Sequence, residues 1–301
     1  MIYIKIRSYA VLISMLLSGI TGSTQQLPDT SYDPVISSKK YEQDDGPTIY
    51  IDRGHRNFHT RSNRYLPFAH ILKKDGYQVA DYDGTFTIDK LSDVDILVIS
   101  NALHHDANPP FVRPTKSAFS TKEIKTLKKW VATGGNLFLI ADHMPFAGAA
   151  ADLASAFGFQ FYDGFVFDKE GSGRIYFTKK EKMLRLSSIV DTHIDSIQTF
   201  TGQGFKIPQK ATSILDLTKE QQVFMADTMW VFNDQTRKFS AEKLSQGAYM
   251  NFKKGKIVVF GEAAMFTAQL AGPQRRKIGM NAETAHQNYK LLLNIIHWLD
   301  D

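Results

Sequence analysis

The sequence contains no cysteine. Disulfides, thiolate metal sites, cysteine nucleophiles and a lipid-modified N-terminal cysteine are therefore excluded. It also lacks a P-loop, a dinucleotide-binding glycine fingerprint, a helical His-Glu-x-x-His and a Gly-x-Ser-x-Gly elbow, so the commonest short signatures of nucleotide binding, zinc proteolysis and serine hydrolysis do not apply. No dense block of Lys and Arg interleaved with aromatics occurs. Lys179-Lys180-Glu181-Lys182 and Arg275-Arg276-Lys277 are short and read as solvated loops, and the formal net charge of +5 is modest. No nucleic-acid partner is expected. Beyond the first twenty or so residues no stretch is apolar for long enough to span a bilayer, and no internal repeat or low-complexity tract is present.

The 301 residues, 43% hydrophobic and 22% charged, have the composition of an ordinary globular protein with room for one large domain or two small ones. The start reads as a secretory signal: Lys5 and Arg7 lead, Ala10 to Ile20 is mostly apolar, and Gly19, Thr21, Gly22 and Ser23 are small residues before a cleavage point near Ser23. Residues 1–23 are therefore expected to be a signal peptide, with an uncleaved anchor as the alternative. The mature protein is expected to be exported, periplasmic or extracellular, with no membrane span after cleavage. Residues 24–46 are polar, carry Pro28 and Pro34 and lack periodicity, which suits a flexible leader or a loosely docked arm.

A single domain is expected over residues 47–301. Its first half alternates strands and helices. Pro47 to Asp52 is β-rich, Tyr65, Phe68, Ala69 and Leu72 recur at helical spacing before Gly76, and Tyr77 to Tyr82 is a second strand. Asp95 to Ser100 is a strongly apolar third strand. Ser120 and Glu123 form a capping box for a helix whose apolar face is Ile124, Leu127, Trp130 and Val131. Gly134-Gly135 ends that helix and opens a strand buried on both faces, Asn136 to Ile140, followed by a small-residue helix from Ala147 to Phe157. This order predicts an α/β fold, a mainly parallel sheet with helices on both faces. Between 159 and 240 the pattern weakens, with strands expected at 161–167, 196–200 and 222–232, as an insertion or an antiparallel extension. Gly247 to Phe252 and Lys256 to Phe260 then form a hairpin, and Tyr289, Leu292, Leu293, Ile296 and Leu299 mark a last helix.

Four of these strands end in polar groups: Asp52 with His55, Asn101 with His104 and His105, Asp142 with His143, and Glu262. The carboxyl ends of parallel strands share one rim, where open α/β sheets bind ligands. Asp142, His143 and Glu262 are the candidate catalytic residues, as general acid and base. The alternative is that Asp142 caps the next helix and His143 bonds a loop carbonyl. Glu262, after an apolar strand, needs a partner or water. Asp52, His55 and His143 are a candidate ligand set for a divalent metal. Asn101, His104, Gln203, Gln269 and Asn281, with Asp52 and His55, are candidate ligand-binding residues, the amides suiting a glycan or peptide. Phe266 or Trp230 is expected to supply an apolar wall. His59 reads as a loop histidine.

The segments Gly134 to Phe146, Phe200-Thr201-Gly202-Gln203, and Gly261 to Gln269 with Gly279-Met280-Asn281 resemble an uncharacterised bacterial family of exported proteins, a domain of unknown function assigned to the class I glutamine-amidotransferase-like superfamily. The resemblance covers nearly all of the chain from Pro47 onward. It implies a flavodoxin-like three-layer α/β sandwich. It does not imply glutaminase activity, because Asp142-His143 stands where the superfamily's catalytic cysteine elbow would be. Two functions follow as expectations: an exported hydrolase acting on a glycan or peptide, or a non-catalytic saccharide-, peptide- or protein-binding module of the cell envelope.

Overall fold

The computed structural model describes residues 26–301; the expected signal segment, with Lys5, Arg7 and Ser23, lies outside them. The first half of the chain contains β1 (Gln26–Pro28), β2 (Thr48–Asp52), α1 (Leu66–Lys74), β3 (Gln78–Tyr82), α2 (Ile88–Leu91), β4 (Ile96–Ser100), α3 (Thr121–Thr133), β5 (Asn136–Ile140) and α4 (Phe146–Ala156). The second contains β6 (Gln160–Phe161), β7 (Phe165–Asp168), β8 (Ile175–Thr178), β9 (Ser196–Thr199), β10 (Phe205–Lys206), β11 (Thr212–Asp216), β12 (Gln221–Met225), β13 (Arg237–Ser240), β14 (Ser245–Phe252), β15 (Gly255–Phe260), β16 (Ala268–Ala271), β17 (Arg276–Gly279) and α5 (Asn288–Asp300).

One 9-stranded sheet organises the molecule, in the order β3-β2-β4-β5-β15-β14-β10-β6, with β11 also paired to β14. The run from β3 to β15 is parallel, and the strands from β14 onward are antiparallel. The sheet is thus mixed rather than mainly parallel. The expected hairpin forms, with Phe252 opposite Gly255, and β15 joins the parallel half through β5. Of the weakly patterned region, β6, β10 and β11 extend the main sheet, while β7, β12 and β13 form a separate antiparallel sheet and β8 pairs with β9. The strand expected at 222–232 ends at Met225; Thr228 makes an isolated antiparallel bridge with Val112, and Met229 to Phe232 is turn and loop.

The parallel strands have side chains buried on both faces, which is why they read as unbroken apolar runs. Ile96, Val98, Phe138, Ile140, Val258 and Phe260 enter one core with α1 and α5. Their neighbours Leu97, Ile99, Leu137, Leu139, Ile257 and Val259 enter the other, with α3 and α4. This is the period-2 alternation of a strand applied to two cores. α1 leads from β2 outward to β3, whereas α3 leads from β4 the other way to β5. Right-handed crossovers then put these helices on opposite faces.

Residues 26–46 lie docked against this body. β1 adds to the β16–β17 ribbon, the Tyr41 hydroxyl donates to Asp300, and Asp75 accepts from the Lys40 amide. Tyr32, Ile36 and Tyr41 pack on the core. Lack of periodicity here reflects an arm held by scattered anchors rather than by a repeating face.

The capping box of α3 is present, and its glutamate has a second task. Glu123 Oε2 accepts from the Ser120 amide, while Oε1 accepts from the Phe86 amide and lies 3.0 Å from His55 Nε2. The other His55 nitrogen lies 3.0 Å from Asp52, and the ring stacks on Phe86 at 4.5 Å. Burial opposes the imidazolium, but hydrogen bonds and charges from Asp52 and Glu123 outweigh it and raise the His55 pKa. Burial likewise opposes the Glu123 carboxylate and is outweighed by His55 and Ser120, so its pKa is lowered. Glu123→Ala is expected to cost about 3–5 kcal/mol, the range for breaking one side of a buried ion pair. Ser120→Ala, which removes the cap and one bond to Glu123 Oε2 but leaves the contact with His55, is expected to cost about 1 kcal/mol. Urea denaturation of both variants checks the difference, and equal costs would remove His55 from the account.

Candidate functional site

Asp142, His143 and Glu262 come together at the carboxyl rim of β5 and β15. They line a pocket of about 350 Å³ together with Gln269, His59 and Trp230. Backbone and amide braces fix its floor. The Ala141 amide donates to Phe260 O, and Gln203 Nε2 donates to Ala141 O. The Gln203 amide donates to Gly261 O, and the Gly261 amide to Gln246 O. Gly202 is required by this closeness: a Cβ there would lie 2.2 Å from Gly261 O and 2.8 Å from Glu262 Cβ.

Glu262 is fully buried, and its two oxygens accept from the Ala264 and Met265 amides at 2.8 Å. Asp142 is 7% exposed. Its amide donates to Asn101 Oδ1, and its Oδ1 accepts from the His143 amide at 2.9 Å. It does not cap α4, whose N-terminus has no side-chain cap. Burial and then the negative charge of Asp142 push the Glu262 carboxyl well above its ordinary range. Burial also raises Asp142, against the pull of His143. Both acids therefore give up their protons less readily than exposed carboxyls do.

His143 does bond a carbonyl: its Nδ1 lies 2.6 Å from Met144 O. That oxygen only accepts, so Nδ1 carries the hydrogen, and in the neutral ring Nε2 presents a lone pair. The ring stacks on Phe165 at 4.5 Å and meets the edge of Trp230 at 4.7 Å. Trp230 sits at φ 63°, a rare conformation for a bulky residue, and is 48% exposed. It supplies the apolar wall. Phe266 instead lies in the core against Phe138 and Phe260.

The other expected site residues are placed elsewhere. Asp52 and His55 are consumed in the buried contact with Glu123. Asn101 serves as the acceptor that positions Asp142. Gln203 is a brace, and Asn281 Nδ2 donates to Asp29 and to Gln269 O, pinning the N-terminal arm. His104 lies beside a separate hollow of about 200 Å³. The metal set Asp52, His55 and His143 does not assemble. Among the described residues, the group whose ligand atoms lie close enough to share an ion is His104, His105 and Asp106, on an exposed loop where Lys116 Nζ lies 3.7 Å from Asp106. The network around His55 separates the two halves of the expected set.

His59 is the lining residue that sequence reasoning assigned to a loop. It is 2% exposed, lies tilted against Tyr65 at 4.8 Å, and its Nδ1 has no partner among the described residues. Burial, with the charge of Arg64, pushes it down to about 3, so it is a neutral imidazole. Its aromatic neighbours Phe58 and Tyr65 were the available signal.

No family model matches this sequence, and no curated protein sequence matches it. Solved structures do share its fold. The mmIFT52 N-terminal domain aligns with TM-score 0.58 at 14% identity, over 84% of this chain and 97% of that one. The cytoplasmic protein STM1381 from Salmonella typhimurium LT2 aligns with TM-score 0.50 at 11% identity, over 85% and 100%. A ThuA-like protein from Bacteroides uniformis aligns with TM-score 0.44 at 11% identity, over 89% and 94%.

Because the folded chain holds the proton of the Asp142–Glu262 pair more tightly than the unfolded chain does, this contribution to stability is complete only below the ordinary carboxylate range, about 4. It is lost as pH rises. Asp142→Asn removes one acid and keeps an oxygen for the His143 amide. The variant is expected to melt above wild type at pH 8, by roughly 2–4 °C for each kcal/mol gained, and to lose that advantage near pH 4. A variant no more stable at pH 8 than wild type would show that the pair stores no such cost.

Proposed function

We propose that the chain is an exported hydrolase of the class I glutamine-amidotransferase-like superfamily, of flavodoxin-like three-layer type, acting on a small polar substrate through the pocket at Asp142, His143 and Glu262. The sequence motifs quoted above support the superfamily and export readings. The parallel order β3-β2-β4-β5-β15 supports the flavodoxin-like one, since it is 2-1-3-4-5 when those strands are numbered among themselves. The observation that carries the chemical reading is the His143 ring. Its Nδ1–H is held by Met144 O, and its Nε2 lone pair belongs to a residue lining the pocket beside two acids. Nε2 then takes a proton from attacking water, and the proton retained by the acid pair goes to the leaving group.

A second reading, a non-catalytic binding module, is favoured by one arrangement. Both Glu262 oxygens are occupied by backbone amides, and the lining hydroxyl of Thr201 donates to Phe200 O rather than to a base. The two readings separate experimentally. Purified protein is offered a panel of para-nitrophenyl glycosides and aminoacyl para-nitroanilides. Hydrolysis of one class that falls about 10²–10⁴-fold in His143→Gln, with melting unchanged, supports the hydrolase. A compound that raises the melting temperature with no product released, in wild type and His143→Gln alike, replaces it with the binding module.

A further inference from the structure

We infer that the ligand of this pocket carries an amine, bound as the ammonium with its charged group against Asp142, Glu262 and the side-chain oxygen of Gln269. The inference rests on reading the pocket as the functional site and adds the ligand's chemistry. Three observations lead to it.

The first is that the unpartnered side-chain oxygen of Gln269, His143 Nε2 and the two acids offer acceptors, beside the ring N–H groups of His59 and Trp230. Thr267 Oγ1 donates its single proton to Ala264 O at 2.7 Å. Toward Gln269 it is therefore an acceptor only, which turns Gln269 Nε2 to it at 2.7 Å. That leaves Gln269 Oε1 buried and without a partner among the described residues, on a side chain that is 2% exposed and lines the pocket. The same logic, applied above to Met144 O, makes His143 Nε2 an acceptor. Asp142 and Glu262 add carboxyl oxygens.

The second is charge. No Lys or Arg lines the pocket, and among the described residues none is ion-paired with Asp142 or Glu262. A buried acid pair without a cation is costly. An anionic ligand would add to that cost, and a neutral polyol would leave it in place. An ammonium brings three donors, no acceptor and the missing positive charge. The third is the wall. Trp230 and Phe146 line the same space, and aromatic faces attract a cation, as the Arg64 guanidinium over the neighbouring Phe58 ring shows.

The test uses three compounds of matched size: benzylamine, benzyl alcohol and benzoate, added to the full chain in thermal-shift titrations. Benzylamine is expected to raise the melting temperature saturably, at least about tenfold tighter than benzyl alcohol, with benzoate silent. Gln269→Leu and Asp142→Asn are each expected to weaken benzylamine by about tenfold or more while melting cooperatively. Benzyl alcohol or benzoate binding as tightly as benzylamine overturns the amine assignment and leaves the pocket standing. So does a methyl glycoside that stabilises the protein when benzylamine does not. Silence from every compound, combined with no effect of His143→Gln on any substrate of the panel above, overturns both the inference and the reading it rests on.

Discussion

Carboxylates taken out of water must be compensated, and this molecule meets that requirement in two contrasting ways. Asp52 and Glu123 grip one imidazole between them, so two carboxyl groups and a ring whose pKa they raise share a site closed by Phe86 and Phe119. Among the described residues no Lys or Arg pairs with Asp142 or Glu262. They rest on backbone amides, and burial raises the pKa of both. The first arrangement is complete as it stands and joins the tip of β2 to the start of α3. The second is incomplete, and an incomplete buried charge is where a ligand gains most by binding.

Strand order explains why the two pairs lie where they do. Connections leave β2 and β4 in opposite directions, so the rim between their ends is the natural crevice of a doubly wound sheet. Here that crevice is filled from inside the chain. The loop after β2 folds over the tip of β4, with the Phe58 amide on Asn101 O and the Leu103 amide on His55 O. With this space plugged, the open pocket is displaced along the rim to the ends of β5 and β15. Asn101 links the two regions by donating its place at the crevice to hold the Asp142 amide.

The strands of the parallel half were legible because burial on both faces leaves an unbroken apolar run, as in Ile96 to Ser100 and Asn136 to Ile140. Their polar ends were legible for the same reason: Asp142 and Glu262 stand out after such runs. What sequence could not show was which polar ends face a shared space. His55 and Glu123 are 68 residues apart, and nothing in a capping box announces that its glutamate also holds a distant histidine. The metal set failed on this point. Gln203 and Asn281 were recognisable as amides that need partners, but a brace and a ligand-binding group have the same local signature. The region from 159 to 240 was only partly legible: β7, β9 and β12 fall where strands were expected, but its strands are short and sit in separate sheets, so their pairing carried no signal.

That region nonetheless completes the site. The parallel half contributes the reactive tips, Asp142, His143 and Glu262, on elements whose positions are set by two cores. The antiparallel additions contribute what surrounds them. Phe165 on β7 stacks on the His143 ring, and Trp230, carried beyond β12, meets both rings. Gln269 comes from β16, which the N-terminal arm joins through β1. A histidine in contact with two aromatic groups that also touch each other, with one nitrogen tied to Met144 O, has little freedom to turn. Its free nitrogen is aimed by the insertion as much as by the strand that carries it. The chemistry of the rim is therefore a property of β5 and β15, while the direction in which it is offered, and the class of ligand that can reach it, are properties of the segments added around them.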